Sequence, residues 1–113
     1  MDCLFCKIVN GEIPASVVYE NEYVLAIKDI NPVAPVHVLV MPKNHYKNIL
    51  EAVQSDESAI VEIHRAVKEV AELMGVDTDG FRLINNCGKN AGQSVEHLHY
   101  HLIGGLNMGE RLL

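Results

Sequence analysis

No stretch of this 113-residue sequence approaches the roughly 18 to 20 consecutive apolar residues that span a bilayer. Tryptophan is absent, and there is no internal repeat, low-complexity tract or linker-like segment. Met1-Asp2-Cys3 lacks the basic start and apolar run of a secretory signal. Cysteine is scarce and odd in number, three in all, which argues against a closed disulfide framework and for a reducing compartment. A cytoplasmic protein with no membrane partner is therefore expected. Basic residues are few as well: nine Lys and Arg against fifteen Asp and Glu leave a net charge of −6. Proteins that track a nucleic-acid backbone usually carry a basic stripe, and Lys43 and Lys47 do not make one, so no nucleic-acid partner is expected. A small phosphorylated ligand stays compatible, because backbone N–H groups and neutral side chains can bind phosphate locally.

What is present supports one compact domain, residues 1–113. Hydrophobic residues make up 49% of the chain, enough to build a core without staples. Ser16–Glu20 and Tyr23–Asp29 read as two strands joined by a tight turn at Asn21-Glu22. Pro32 and Pro35 break the chain before a third strand, Val36–Met41, closed by Pro42. Ile60, Ile63, Val67, Val70 and Met74 recur at spacings of three and four, which predicts a helix from about Ser55 to Met74, stopped by Gly75. Phe81–Asn85 is a fourth strand, 86–92 a loop, and Ser94–Gly104 a last strand. Cys3–Val9 is a short helix or a turn. Together these predict an α+β fold: an antiparallel β-sheet meander with one long and one or two short helices.

The most specific feature is His97-Leu98-His99-Tyr100-His101-Leu102-Ile103. With period-2 geometry the three histidines share one strand face, and Leu98, Tyr100 and Leu102 share the other. Three imidazoles are costly as mere packing, since each has two ring nitrogens to satisfy. Two chemistries fit: a metal cage of neutral imidazoles, or a nucleophile with general acid–base partners. The preceding loop, with Asn86, Gly88, Gly92, Gln93 and Ser94, offers amides, a hydroxyl and little bulk, which suits phosphate oxygens. Glu96, the one acid in that segment, alternates away from the histidine face. Cys3-x-x-Cys6 is ambiguous on its own among redox chemistry, zinc and simple burial.

The segment GQSVEHLHYHLIGG, Gly92 to Gly105, resembles the signature of the histidine-triad (HIT) family, His-φ-His-φ-His-φ-φ with φ apolar. The likeness extends through CLFCKIVNGEIPASVVYENE, IKDINPVAPVHVLVMPKNH and GFRLINNCGKNAGQS, and is strongest to the nucleoside-phosphoramidase branch. It implies a HIT-like fold, a homodimer formed through helices and edge strands, and a purine nucleotide (AMP, GMP or a derivative) as ligand. It implies further that His99 is the nucleophile at the α-phosphorus, that His101 contacts the phosphate and leaving atom, and that His97 completes the catalytic set. Ser94 and Gln93 match polar residues around the leaving group, and Asn86 a phosphate ligand. Asp29 matches the acid that accepts both ribose hydroxyls. Leu4, Phe5, Ile8, Ile27 and Leu39 match positions lining the base pocket, and His37 a histidine that supports the first triad member. Ile27 and Lys28 depart from the aromatic–histidine pair that relatives often carry there.

Some members of the family bind a structural zinc through a cysteine pair and two histidines, which match Cys3, Cys6, His45 and His97 here, a closed Cys2His2 set. Magnesium is not expected, because no carboxylate cluster stands ready to hold it. The leading expectation is a purine nucleoside 5′-phosphoramidate hydrolase that passes a nucleotidyl group to histidine and then to water. A dinucleoside polyphosphate hydrolase on the same site and a nucleotide-binding regulatory module with incidental hydrolysis are the alternatives.

Overall fold

The computed structural model describes residues 3–113; Met1 and Asp2, part of the chain start read above, lie outside the described residues. The elements are α1 (Leu4–Val9), β1 (Val17–Glu20), β2 (Val24–Lys28), β3 (Val36–Pro42), α2 (Ile49–Ser55), α3 (Glu57–Leu73), β4 (Phe81–Asn85) and β5 (Tyr100–Gly104), with a single 3-10 turn at Lys89–Ala91. The five strands form one sheet in the order β1-β2-β3-β5-β4, every neighbouring pair antiparallel. The fold is α+β, as expected. The meander runs through β1, β2 and β3, after which β5 takes the place beside β3 and leaves β4 at the edge.

Local chemistry explains the joints. The Asn21 side-chain oxygen accepts from the N–H groups of Tyr23 and Val24, both at 2.8 Å, and so closes the β1–β2 turn. Asn48 caps α2 by accepting from the N–H of Glu51 at 3.0 Å. Asp56 then leaves helical geometry at φ −162° and separates α2 from α3. The helix expected from about Ser55 is α3; the short α2 before it was not located by the sequence pattern, because it buries only Ala52 and leaves Leu50 and Val53 exposed, with no periodic stripe to betray it. The last strand is also shorter than its pattern. Pairing begins at Tyr100, opposite Val40 and Asn85, and residues 94–99 precede the ladder. That segment bends through 95–97 and is tied in by the Leu98 N–H to the Tyr46 carbonyl at 2.7 Å.

Both sheet faces are covered. Val24, Ala26, Val38, Val40, Tyr100 and Leu102 pack with Ile63, Ala66, Val67 and Val70 of α3. The opposite positions, Leu25, Ile27, Leu39 and Met41, pack with Phe5 of α1 and its neighbours. β3, flanked by strands on both sides, is therefore buried along its whole length. Gly104 shows how closely the chain approaches itself there: a Cβ would lie 2.9 Å from Val76 Cγ1. Helix α1 covers one end of the second face, and His37 and His101 share that face with Leu39, by strand alternation. No helix among the described residues is long and apolar enough to cross a membrane.

Candidate active site

His99 lies just before β5 and is 4% exposed. Its Nδ1 lies 2.8 Å from the carbonyl oxygen of His97, which accepts only, so Nδ1 carries the hydrogen and Nε2 carries the lone pair. The carbonyl of His99 accepts in turn from Asn85 Nδ2 at 3.1 Å. Phe5 meets the His99 ring edge-on, with centroids 4.9 Å apart, and meets His97 at 5.9 Å. No buried side-chain nitrogen or oxygen lacks a hydrogen-bond partner among the described residues, and none is recorded for His99 Nε2, so this atom reaches solvent.

His101 stands in β5 opposite Leu39 and Ile84, its ring centroid 5.3 Å from that of His99. Its Nδ1 lies 2.9 Å from His37 Nε2. Nδ1 of His37 accepts from the Val33 N–H at 3.1 Å, and its Nε2 also lies 3.3 Å from Asp29 Oδ2. Asp29 Oδ1 accepts from the Asn31 N–H at 2.8 Å. His37, expected to support the first triad member, thus touches the third.

Burial holds His97, His99 and His101 below the ordinary histidine value of 6.5; for His101 the neighbouring His99 and His37 act in the same direction, while for His99 and His101 the nearby Asp29 carboxylate opposes it. The rings are therefore neutral near pH 7. A neutral imidazole with one nitrogen held as donor and the other open is a nucleophile in waiting.

His97 is fully buried and has a different environment. Its Nε2 donates to the Pro42 carbonyl at 2.8 Å, and its Nδ1 faces Cys3 Sγ at 3.4 Å and Cys6 Sγ at 3.6 Å. His45 Nδ1 lies 3.3 Å from Cys6 Sγ. The four donor atoms of Cys3, Cys6, His45 and His97 lie within 4.8 Å of one another, so this cluster can hold a metal ion. A tetrahedral zinc, with bonds of about 2.3 Å to sulfur and 2.05 Å to nitrogen, sets sulfur–nitrogen edges of about 3.6 Å, close to the spacings here. Burial, with the adjacent Cys3, pushes the Cys6 thiol up to about 11, so a cation is needed to hold it as thiolate at neutral pH.

The remaining predicted residues divide by placement. Phe5, Ile27 and Leu39 are buried together and Ile8 packs against them, whereas Leu4 is 45% exposed on the outer side of α1. Asn86 is half-buried and Ser94 exposed, and neither is recorded as hydrogen-bonded to a described residue. Gln93 is committed elsewhere. Its oxygen accepts from the Gly88 N–H, and its amide donates to the carbonyls of Lys47 and Val95, so it braces the loop rather than offering a free polar group. Asn85 was not singled out in the sequence: it sits beside Asn86 at the end of a strand, and no spacing marks its bond to His99. Val33 escaped for the same reason, because its contribution is a backbone N–H.

His99 just before β5 and His101 within it, beside the partly buried Cys3–Cys6–His45–His97 cluster on a five-stranded antiparallel sheet, fit a histidine-triad domain. The HIT domain family model matches residues 10–108, and the chain belongs to that family. It is 46% identical over 101 residues to an uncharacterized HIT-like protein of Methanocaldococcus jannaschii, covering 89% of this chain and 77% of the relative. It is 36% identical over 111 residues to the purine nucleoside phosphoramidase of Escherichia coli, covering 98% of this chain and 93% of that enzyme. A HIT family hydrolase from Clostridium thermocellum superposes with a TM-score of 0.95 at 53% identity, over 99% of this chain and 97% of that one.

Proposed function

We propose that the protein hydrolyses purine nucleoside 5′-phosphoramidates, giving a nucleoside monophosphate and an amine. One observation carries the reading: His99 is held as a neutral imidazole with Nδ1 donating to a carbonyl, so its Nε2 lone pair opens to solvent beside His101. The likeness to the named phosphoramidase of Escherichia coli supports the substrate class. Nε2 of His99 attacks the α-phosphorus as the phosphorus–nitrogen bond breaks and the departing amine takes up a proton from solvent. Water then attacks the nucleotidyl-histidine, the phosphorus–histidine bond breaks to release the monophosphate, and the proton lost by the attacking water returns to solvent. Asn86 and Ser94, whose side chains have no hydrogen-bond partner among the described residues, receive phosphate oxygens; Asp29 receives the ribose hydroxyls; Phe5, Ile8, Ile27 and Leu39 line the base side.

Zinc is the metal that suits the cysteine–histidine cluster, and when bound it supplies a structural cross-link between α1 and the segments carrying His45 and His97. We assign His97 to that cluster rather than to proton transfer, because both its ring nitrogens are engaged away from solvent. A C2 homodimer through α3 is proposed as well: Val61 and Leu73 are more than half exposed there, and Val61 lies beside His64, Arg65 and Lys68 around a 480 Å³ surface hollow. Sedimentation at micromolar concentration should give twice the chain mass; the 12.5 kDa species alone refutes the dimer.

The test is turnover of adenosine 5′-phosphoramidate beside a dinucleoside polyphosphate. The phosphoramidate should be preferred, and His99→Ala should lose at least about a thousandfold in kcat, since a covalent step has no ready substitute. Retained turnover in that variant contradicts the reading.

A further inference from the structure

We propose that Val33, His37 and Asp29 form a positioning relay that keeps His101 a neutral hydrogen-bond donor and couples that state to capture of the ribose. The proposal deepens the reading of His99 and His101 as the phosphorus site and rests on it for its kinetic consequence.

Each hydrogen in this chain of contacts has one place. The Val33 N–H can only donate, so His37 Nδ1, 3.1 Å away, is an acceptor and carries no hydrogen. The single hydrogen of a neutral His37 is then on Nε2. That hydrogen faces two acceptors, His101 Nδ1 at 2.9 Å and Asp29 Oδ2 at 3.3 Å. His101 Nδ1, as acceptor, carries no hydrogen either, so His101 presents N–H at Nε2, the nitrogen with no recorded protein partner. Reversing either ring opposes two hydrogens. A δ-protonated His101 sets N–H against the His37 N–H, and a δ-protonated His37 sets it against Val33. Because His37 is 7% exposed, water cannot relieve that opposition cheaply.

The loop from Asp29 to Val33 grips His37 at three points. Val33 binds Nδ1, the Asp29 carboxylate approaches Nε2, and the Asp29 N–H donates to the His37 carbonyl at 3.0 Å. Asp29, His37 and His101 are also close enough in space to suggest a metal site. The direction of the Val33 bond argues against one, since a ligating His37 Nε2 would need its hydrogen moved to the nitrogen that Val33 already occupies.

The consequence concerns Asp29. In the free protein its Oδ2 and His101 compete for one hydrogen. A ribose hydroxyl donating to Asp29 weakens that carboxylate's claim, and the His37 hydrogen turns wholly to His101. Sugar binding thereby steadies the group that meets the phosphate, so the ribose hydroxyls contribute to kcat and not to KM alone. His101 acts as a donor that orients and stabilises oxygen, because surrendering its Nε2 hydrogen outright would leave an imidazolate.

Ring nitrogen-15 NMR of the free protein near pH 7 should show His37 and His101 both protonated at Nε2 only. A δ-protonated His101 overturns the relay, and this reading needs no substrate, so it stands apart from the fate of the hydrolase assignment. If wild-type protein turns over no nucleotide, the hydrolase reading fails while the NMR still decides the relay. His37→Ala should mix the His101 tautomers and lower kcat about ten- to a hundredfold with little change in KM. His37→Gln places two N–H hydrogens there, one for each acceptor, and should recover kcat to within severalfold. With a 2′,3′-dideoxy substrate the wild type should show a lower kcat as well as a higher KM, whereas His37→Gln should show only the higher KM. An unchanged kcat in His37→Ala, or a wild type whose dideoxy loss is confined to KM, refutes the coupling.

Discussion

Around His99, small fixed bonds decide the chemistry. The carbonyl of His97 takes the Nδ1 hydrogen, Asn85 holds the carbonyl of His99 itself, and Phe5 stands edge-on against the ring. Asn85→Ala removes one of these holds without touching an open nitrogen. It should lower kcat about ten- to a hundredfold through misplacement, leaving KM nearly unchanged; a rise in KM at constant kcat contradicts a positioning role. The histidines themselves were legible in the sequence, because alternate residues take opposite sides, and Leu98, Tyr100 and Leu102 do enter the α3-side core. Gln93 was legible as polar but not as a brace, since the carbonyls of Lys47 and Val95 reach it only through tertiary folding. The contact of His37 with His101 rather than His97 was likewise hidden: it depends on the β3–β5 register, in which Val36 faces Gly104.

Among the elements, α1 has the fewest internal resources. It is six residues long, far below the length at which an isolated helix is stable, and its N-cap is the sulfur of Cys3 accepting from the Cys6 N–H at 3.3 Å. The same two cysteines face His45 and His97, so metal binding and helix anchoring share their atoms. Chelator should lower the melting temperature, and Cys6→Ser should abolish bound zinc in elemental analysis. A metal-free protein with an unchanged melting temperature would remove the cluster from the account of stability. The elements that came through the sequence most faithfully, β4 to the residue and β1 and β3 to within one, are bounded by turn signals, and the long helix, placed to within two, carries a sustained apolar stripe. Helix α2 has neither. β5 was over-extended because side-chain alternation continues upstream of Tyr100, whereas the ladder hydrogen bonds that define a strand do not.

Over the whole molecule, the buried His97 and His99 and the half-buried His101 tie stability to pH. Their folded-state values lie below the ordinary 6.5, so between those values and about 6.5 the unfolded chain binds more protons than the folded one. The stability this contributes is complete above about pH 6.5 and is lost as pH falls below it. Chelator-treated protein should melt several degrees lower at pH 5.5 than at pH 7.5, and equal melting temperatures would show that the rings are not held neutral. The sequence carried the class of fold, the triad and the cysteine–histidine set; the order of the last two strands and the wiring of the site came from packing that no local pattern encodes. The claim on which the functional account turns is that His99 Nε2 forms a bond to phosphorus. Rapid quenching of the wild type with adenosine 5′-phosphoramidate, followed by intact mass and peptide mapping, should find one adenylyl group on His99 that acid removes and that His99→Ala lacks. An unmodified wild type under conditions where substrate is consumed, or the same adduct in His99→Ala, would contradict it.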